Sequence, residues 1–222
     1  MPVMNATVFV IDDELSVRKA ITRLLQSSGF RVAAFASAQD YLDTFDPALP
    51  GCLLLDLSMP GQNGLQLQMA LQARGDSPPI IFLTGHADVP ETIQALKGGA
   101  VDFLTKPVED EVLIAAVRHA IARDAVTRLA RAELAAIHAC LARLTPRELE
   151  VLRCVVAGKL NKQTAAELGT VEKTIKVHRA RIIEKMQVNS LAELVRQAAK
   201  VGISGSPEKP QQSPQAISDS AN

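Results

Sequence analysis

The sequence predicts two folds in succession: a doubly wound α/β domain with a five-stranded parallel sheet, and then a smaller all-α domain. Up to about residue 122, strand-like and helix-like segments alternate five times, which is typical of consecutive βα units with helices on both faces of one sheet. From residue 144 to residue 200, every segment has the apolar spacing of a helix. The charge divides in the same way. Residues 1–122 hold 8 basic and 14 acidic side chains, a balance of −6, whereas residues 144–200 hold 11 and 6, a balance of +5.

Three of the predicted strands are short apolar runs that end on polar residues, a pattern that suits strands buried on both faces of a parallel sheet. The C-terminal ends of parallel strands share one edge, and open α/β sheets bind ligands at that edge. The predicted strands are 6–11, 30–35, 52–56, 80–83 and 101–105.

The helices between these strands follow from apolar spacing and from the residues that begin and end them. Ser37 is the predicted N-cap of the second helix, and Gly98 with Gly99 ends the fourth. Pro and Gly indicate a loop over residues 58–64. The predicted helices of this part are 15–27, 37–45, 65–73, 89–96 and 109–123.

Residues 123–143 contain no Gly or Pro and are rich in Ala, Leu and Arg, so they are predicted to be helical. Either the fifth helix continues through them or a second helix begins near Asp124. Their apolar stripe is interrupted, which favours a spacer over a dimer seam. We therefore predict a helical linker over 123–143 between domains at 1–122 and 144–203.

The all-α domain is predicted from helix caps. Thr145 to Glu148 form a capping box with Pro at the first helical position, and Ser190 opens another. Asn161 and Thr170 are the predicted caps of the two helices between them. Residues 204–222 are rich in Ser, Pro and Gln, which predicts a disordered tail.

The cysteines and the N-terminus indicate a cytoplasmic protein. Cys52, Cys140 and Cys154 lie among apolar residues without metal-ligand spacing, so buried thiols in a reducing compartment are expected. The N-terminus has no signal-peptide pattern and no apolar run reaches 18 residues, so neither secretion nor a membrane span is predicted.

The shared sheet edge brings together polar residues that suit phosphoryl transfer. Asp12, Asp13 and Asp56 are three carboxylates that repel one another unless a cation joins them, and Mg²⁺ prefers such oxygen ligands. Asp56 is the candidate nucleophile, because a carboxylate can accept a phosphoryl group as an acyl phosphate. Lys106 would supply charge and Thr84 a hydroxyl donor to a phosphoryl oxygen.

These residues, with Gly85 and Pro107, resemble the receiver domain of bacterial two-component response regulators over about residues 5–122. The stretches 83–90 and 99–104 are similar to those of the FixJ-type subgroup (NarL/FixJ subfamily). The resemblance implies a flavodoxin-like fold in which Asp56 takes phosphate from a partner histidine kinase. It also implies that Asp12, Asp13 and Asp56 hold Mg²⁺, with the main-chain carbonyl of Ser58 completing the protein ligands.

In that family a hydroxyl residue and an aromatic residue couple phosphorylation to a surface change, and the matching positions are Thr84 and Phe103. Movement of Thr84 towards the phosphate would vacate space for the Phe103 ring, although Phe103 as an ordinary core aromatic remains an alternative. Helix 89–96 and the fifth strand form the candidate surface for a phosphorylation-dependent homodimer.

Clustered cations on one predicted helix of a helix-turn-helix favour DNA as the partner, although charge alone leaves a solvated helix face as an equal alternative. The predicted outward cations are Lys173, Lys176, Arg179 and either Lys185 or Arg181, and the side chains predicted to pack inward are Ile175, Ile182, Ile183 and Met186. Stretches at 144–148, 161–168 and 172–179 resemble the LuxR-type output domain over about residues 142–203. The resemblance implies a four-helix module whose third helix enters the major groove of promoter DNA, with RNA polymerase as a further partner. Because a single module makes few contacts, a dimer on two half-sites is expected. The implied DNA-binding residues are Asn161, Lys162, Lys173, Thr174, Lys176, Val177 and Arg179.

Two other readings compete with a phosphorylation-controlled transcription regulator. In one, the basic helices bind protein and the chain is a signalling adaptor. In the other, Asp56 serves a phosphatase, but Ser58 stands where the acid of such an enzyme is expected. A nucleotide-binding Rossmann or P-loop protein is disfavoured because neither glycine pattern is present.

Overall fold

The computed structural model describes residues 6–75, 77–85 and 89–204. The chain divides into two compact units, Met1–Ala130 with two apolar cores and Arg131–Asn222 with one. The predicted disordered tail, apart from its first residue, lies outside the described residues. Within the described ranges, no helix combines the length and apolar character needed to cross a membrane.

The first unit contains a five-stranded parallel sheet in the order β2–β1–β3–β4–β5, which confirms the predicted doubly wound topology. The register pairs Ile11 with Leu55, Asp56 with Leu83, and Thr84 with Thr105, so the ends of four strands meet along one edge. The strands are β1 Thr7–Ile11, β2 Arg31–Phe35, β3 Gly51–Asp56, β4 Ile80–Thr84 and β5 Asp102–Thr105.

Alternation along the central strands fills two separate cores, one on each face of the sheet. Leu53 and Leu55 of β3 pack into one core, whereas Cys52 and Leu54 pack into the other. Every residue of β3 is buried, which explains why its sequence is an uninterrupted apolar run rather than an alternating one. The helices that cover the sheet are α1 Leu15–Ser27, α2 Ala38–Thr44, α3 Gly64–Ala73, α4 Val89–Lys97 and the first part of α5 Asp110–Leu141.

Helix α5 is continuous from Asp110 to Leu141, so the first of the two sequence alternatives is correct and no second helix begins near Asp124. Asp124 is buried, and its carboxylate accepts hydrogen bonds from the backbone N–H of Gly51 and from Nε of Arg128. The Arg128 guanidinium also donates to the carbonyls of Pro47, Ala48 and Leu49. We call Asp124 and Arg128 the α5 latch, because together they hold the helix to the loop that leads into β3.

The second unit packs helices α6 Pro146–Val156, α7 Asn161–Glu167, α8 Glu172–Lys185 and α9 Leu191–Lys200 around one core. Ile137 from the last part of α5 is buried in this core. Of the side chains predicted to pack inward from this helix, Ile175, Ile182 and Met186 are buried and Ile183 is half-buried. The all-α prediction for this unit is therefore confirmed.

Three predicted side-chain caps are confirmed, whereas Asn63, which caps α3 in a capping box with Gln66, was not predicted. Ser37, Thr145 and Ser190 each accept a hydrogen bond from the backbone N–H three residues later. The predicted caps Asn161 and Thr170 are wrong: the N-cap residues of α7 and α8 are Leu160 and Val171, which have no capping side-chain hydrogen bond. These two helices therefore begin without the side-chain acceptor that usually satisfies a first-turn N–H.

The α5 latch predicts a local stability effect. Asp124→Ala should lower the free energy of unfolding of the first unit by about 1.5–3 kcal/mol, because the Gly51 N–H and the Arg128 guanidinium lose a charged acceptor. Denaturant unfolding would measure the loss, and amide exchange at Gly51 should accelerate. Thr127→Ala, an exposed change on the same turn of α5, should leave both measurements within error. Equal behaviour of the two variants would contradict the latch.

Candidate functional site

Three carboxylates converge at the C-terminal edge of the sheet. Asp12 directly follows β1, Asp56 ends β3, and both are buried, whereas Asp13 is exposed. One carboxylate oxygen from each lies within 4.8 Å of the others. We call Asp12, Asp13 and Asp56 the acidic cluster. Parallel pairing of β1 with β3 brings it together, because their registered ends place Asp12 and Asp56 side by side.

The Lys106 ammonium reaches into the acidic cluster from the end of β5. Its Nζ lies 2.7 Å from Oδ2 of Asp12 and 3.3 Å from Oδ2 of Asp56. The backbone N–H of Lys106 donates to the carbonyl of Thr84 at 2.7 Å, which ties the residue to the neighbouring strand. The Lys106–Pro107 peptide bond is cis. The sequence pattern gave no sign of this isomer.

The neighbouring charged groups shift the pKa values of Asp56 and Lys106. Burial raises the pKa of the Asp56 carboxyl, and the negative charge of Asp12 raises it further, while Lys106 and the backbone N–H of Ser58 act in the opposite direction. Burial lowers the pKa of Lys106, but its hydrogen bond to Asp12 and the charges of both aspartates outweigh that effect and raise it. Burial is thus the main reason that the Asp56 carboxylate is harder to ionise, and Lys106 offsets it only in part.

The acidic cluster has the chemistry of a site for a hard divalent cation. Oδ1 of Asp56 is buried and accepts no hydrogen bond from any residue in the described part of the chain. Three carboxylates at this spacing supply oxygen ligands, and a bound cation would relieve their repulsion. Ser58 lies two residues after Asp56 in the exposed loop, and the predicted role of its carbonyl stays a prediction.

Thr84 and Phe103 lie on the two strands next to the acidic cluster. Thr84 ends β4, one position beyond the residue that pairs with Asp56, and it is fully buried. Phe103 on β5 is half-buried, and its ring centroid lies 6.2 Å from that of Phe82 on β4. Thr84 and Phe103 therefore lie near the same edge of the sheet and on the same face, while their predicted role as a switch stays a prediction. His86, Ala87 and Asp88 of the predicted 83–90 motif lie outside the described residues.

Sequence reasoning missed two residues that shape this edge. Gly64 begins α3, and a Cβ there would lie 2.5 Å from the carbonyl oxygen of Asp56 and 2.9 Å from the Phe82 ring, so only glycine fits. Arg18 on α1 donates from Nη1 to the carbonyl oxygen of Asp12 at 2.5 Å. The glycine-containing loop was a visible signal for the first, but no local pattern indicated the second.

The outer face of α8 carries the predicted DNA-binding side chains. Lys173, Lys176 and Val177 are exposed and share this face, opposite the buried Ile175 and Ile182. Thr174 and Arg179 are half-buried at its margins, and on α7 Lys162 is exposed while Asn161 is half-buried. Lys176 lies 3.4 Å from Glu172, one turn earlier, in an exposed ion pair.

Lys185 does not belong to this basic face. The sequence left Lys185 and Arg181 as alternatives for an outward cation, and the structure turns Lys185 inward, 2.6 Å from the buried Glu148. The hydrogen bonds from Lys185 and from the backbone N–H of Thr145 hold the pKa of Glu148 at about 2. Arg181 is the exposed cation of the two.

Comparison with known proteins follows the same division of the chain. Residues 8–118 match the family described as response regulator receiver domain, and residues 142–198 match the bacterial regulatory proteins of the luxR family. Nodulation protein W of Bradyrhizobium diazoefficiens is 44% identical over 200 residues, covering 90% of this chain and 88% of that protein. Transcriptional regulatory protein FixJ of Azorhizobium caulinodans is 42% identical over 196 residues, covering 88% and 93%. The structure of response regulator StyR superposes with a TM-score of 0.82 at 43% identity, covering 88% of this chain and 99% of that one.

The Glu148–Lys185 pair predicts how the second unit responds to acid. Because the folded-state pKa of Glu148 lies at about 2, below its ordinary value, its stabilising effect is present above pH 4.5 and is lost as the pH falls towards 2. Glu148→Gln should lower the free energy of unfolding of this unit by about 1.5–3 kcal/mol at pH 7. The deficit should shrink as the pH falls through this range, as measured by denaturant unfolding at several pH values. Glu150→Gln, an exposed change on the same helix, is the control. A deficit that is independent of pH would refute the assignment.

Proposed function

We propose that transfer of a phosphoryl group to Asp56 controls this protein. The chain belongs to the FixJ-type bacterial response regulators with a LuxR-type output domain. Such a protein is a phosphorylation-dependent transcriptional regulator and not a turnover enzyme. Its receiver domain implies a kinase partner, and its output domain implies DNA. The observation that most supports Asp56 as the acceptor is its buried Oδ1, which accepts no hydrogen bond from the described residues, while Lys106 lies 3.3 Å from Oδ2 of the same carboxylate.

The proposed reaction moves a phosphoryl group from a histidine of a partner kinase to a carboxylate oxygen of Asp56. The oxygen–phosphorus bond forms as the nitrogen–phosphorus bond breaks, and the imidazole leaves with its electron pair. Lys106 would neutralise phosphoryl charge, and the Thr84 hydroxyl would donate to a phosphoryl oxygen. Asp12, Asp13, Asp56 and the Ser58 carbonyl would hold Mg²⁺, which supplies positive charge to the phosphoryl oxygens.

The structure offers a route from this reaction to the surface of the receiver. Movement of Thr84 towards the phosphoryl group would open space on β4, and the half-buried Phe103 ring on the adjacent β5 would enter it. Phe103 has no hydroxyl, so its effect on the surface must come from shape. We propose that this repacking completes a dimer surface on α4 and β5.

Exposed apolar side chains on α4 support that surface. Val89, Ile93 and Leu96 are 69%, 47% and 49% exposed, and they recur at helical spacing on one side of a short helix.

A dimer would place two output domains on two half-sites of promoter DNA, since one helix-turn-helix makes few contacts. Residues 123–143 would link the receiver at 1–122 to the output domain at 144–203. Contact with RNA polymerase and a cytoplasmic location follow from action at promoters.

Phosphorylation should convert the full chain from monomer to dimer. Treatment with acetyl phosphate and MgCl₂ should raise the sedimentation coefficient of the wild type, and intact mass should show one added phosphoryl group. Asp56→Asn should show neither change, whereas Asp110→Asn, which alters an exposed carboxylate on α5, should behave as the wild type. Ile93→Asp should still take up the phosphoryl group but stay monomeric, because it places a charge in the proposed interface. Unchanged sedimentation of a fully phosphorylated wild type would reject the dimer.

Salt dependence should identify the phosphate contacts of the output domain. If Lys162 and Lys173 each neutralise one DNA phosphate, replacing either with Met should reduce the slope of log K against log salt by about 0.9. Lys176→Met should instead weaken discrimination at one base pair by about 1–3 kcal/mol. Binding would be measured by fluorescence anisotropy on a promoter fragment found by footprinting. Lys19→Met removes the same charge from the receiver and should leave the slope unchanged. Equal slopes for all variants would remove these lysines from the interface.

A further inference from the structure

Arg18 is bound to the main chain of the acidic cluster rather than to its carboxylates. It lies in the first turn of α1 and is half-buried. Its Nη1 donates to the carbonyl oxygen of Asp12 at 2.5 Å. A cation this close to three carboxylates would ordinarily be expected to pair with one of them, so its bond to a neutral carbonyl needs an explanation.

Asp12 is fixed at every polar atom. Its backbone N–H donates to the carbonyl of Phe35, its Oδ1 accepts from the backbone N–H of Glu14, and its Oδ2 accepts from Lys106. The Arg18 contact fixes the remaining atom, the carbonyl oxygen. Lys106 contacts a carboxylate oxygen of Asp12, and a bound cation would compete for the carboxylate oxygens. Cation binding would therefore disturb the Lys106 contact. The Arg18 contact involves no ligand oxygen and can persist.

The carbonyl that Arg18 holds belongs to the planar peptide group that joins Asp12 to Asp13. The orientation of this plane sets the direction in which the Asp13 side chain leaves the backbone. Asp13 needs such support: it is exposed, and its carboxylate has no hydrogen-bond or ion-pair partner in the described part of the chain. The neighbouring carboxylates of Asp12 and Asp56 repel it towards water.

We infer that Arg18 is a positioning residue for a divalent cation site, because it holds the Asp12–Asp13 peptide so that the Asp13 carboxylate faces Asp56. This inference rests on the proposed use of the acidic cluster to bind Mg²⁺. The role differs from that of Lys106, whose ammonium contacts the carboxylates directly. Arg18 acts through the backbone, as an outer partner that orients a ligand.

The positioning role and a simple charge effect predict opposite signs. As a positive charge near the acidic cluster, Arg18 repels a divalent cation, so its removal by charge alone would tighten cation binding. As a positioning residue, it keeps a ligand in place, so its removal would weaken binding. Loss of an outer partner of a metal ligand typically costs about 10-fold or more in affinity. The sign of the change therefore decides between the two.

The test is a titration of the full-length wild type and of Arg18→Met with MnCl₂, in which the electron paramagnetic resonance signal of free Mn²⁺ reports binding. Competition with MgCl₂ then gives the Mg²⁺ affinity. Arg18→Met retains the apolar stem but removes every donor. Lys19→Met removes the same charge from the adjacent, exposed position and is the matched control. Thermal unfolding by circular dichroism checks that each variant is folded, and Arg18→Gln replaces Arg18→Met if the latter shows no cooperative transition.

We expect Arg18→Met to bind both cations about 10-fold more weakly than the wild type, with Lys19→Met unchanged. With acetyl phosphate as donor, the Mg²⁺ concentration that gives half the maximal phosphorylation rate should rise equally, while the rate at saturating Mg²⁺ is retained. Unchanged or tighter binding by a folded Arg18→Met would overturn the inference and leave the proposed function intact. Absence of Mn²⁺ binding by the wild type would overturn both.

Discussion

Repulsion among three carboxylates is the constraint around which the first unit is built. Asp12, Asp13 and Asp56 lie within 4.8 Å of one another, and one lysine supplies too little charge to balance them. Burial of the Asp56 carboxylate, with a smaller contribution from the charge of Asp12, raises its pKa despite Lys106. Ionised groups in this arrangement oppose folding, so their free-energy cost must be offset elsewhere in the domain. The same imbalance makes the edge attractive to a divalent cation.

Burial of apolar side chains on both faces of the sheet offsets this free-energy cost. β3 is buried on both faces, and the two apolar cores that it joins stabilise the strand whose last residue is Asp56. At the other end of β3, the Gly51 N–H is bonded to Asp124 of the α5 latch. Gly64 lets α3 begin close against the Asp56 carbonyl. Both ends of the strand are therefore held by contacts that need no change in the carboxylates, which allows the charge at the edge to vary without loss of the fold.

Sequence reasoning located this edge because the information is local. A short apolar run that ends in Asp specifies both a buried strand and the polar group at its end, and parallel topology then brings the ends together. Contacts between distant segments have no such signature. The bond from Arg128 to the loop at Pro47 and the pair between Lys185 and Glu148 join residues that are far apart in sequence. The spacing on α8 showed that Lys185 or Arg181 would be outward, but only the packing of α6 against α8 shows which.

The predictions of the N-caps of α7 and α8 were wrong for a different reason. Asn161 and Thr170 are good capping residues, yet each lies one position away from the residue that actually precedes the helix. Leu160 and Val171 occupy the N-cap positions although they cannot cap, and both are largely exposed. Tertiary packing of these helices onto the core of the second unit therefore outweighs the local preference of about 1 kcal/mol for a capping side chain.

The two units use charge in opposite ways, and this limits how a signal can pass between them. In the first unit, carboxylates cluster at a site where cations can neutralise them. In the second unit, several lysines are exposed, and Lys185 is paired with the buried Glu148. A phosphoryl group on Asp56 would add charge where Lys106 and a divalent cation already compensate it. Salt would screen any remaining field over about 8–10 Å. The electric field of the phosphoryl group is thus a weak signal over distance, which supports the proposed change of shape at the buried Thr84 and the half-buried Phe103, where closely packed side chains have few alternative arrangements.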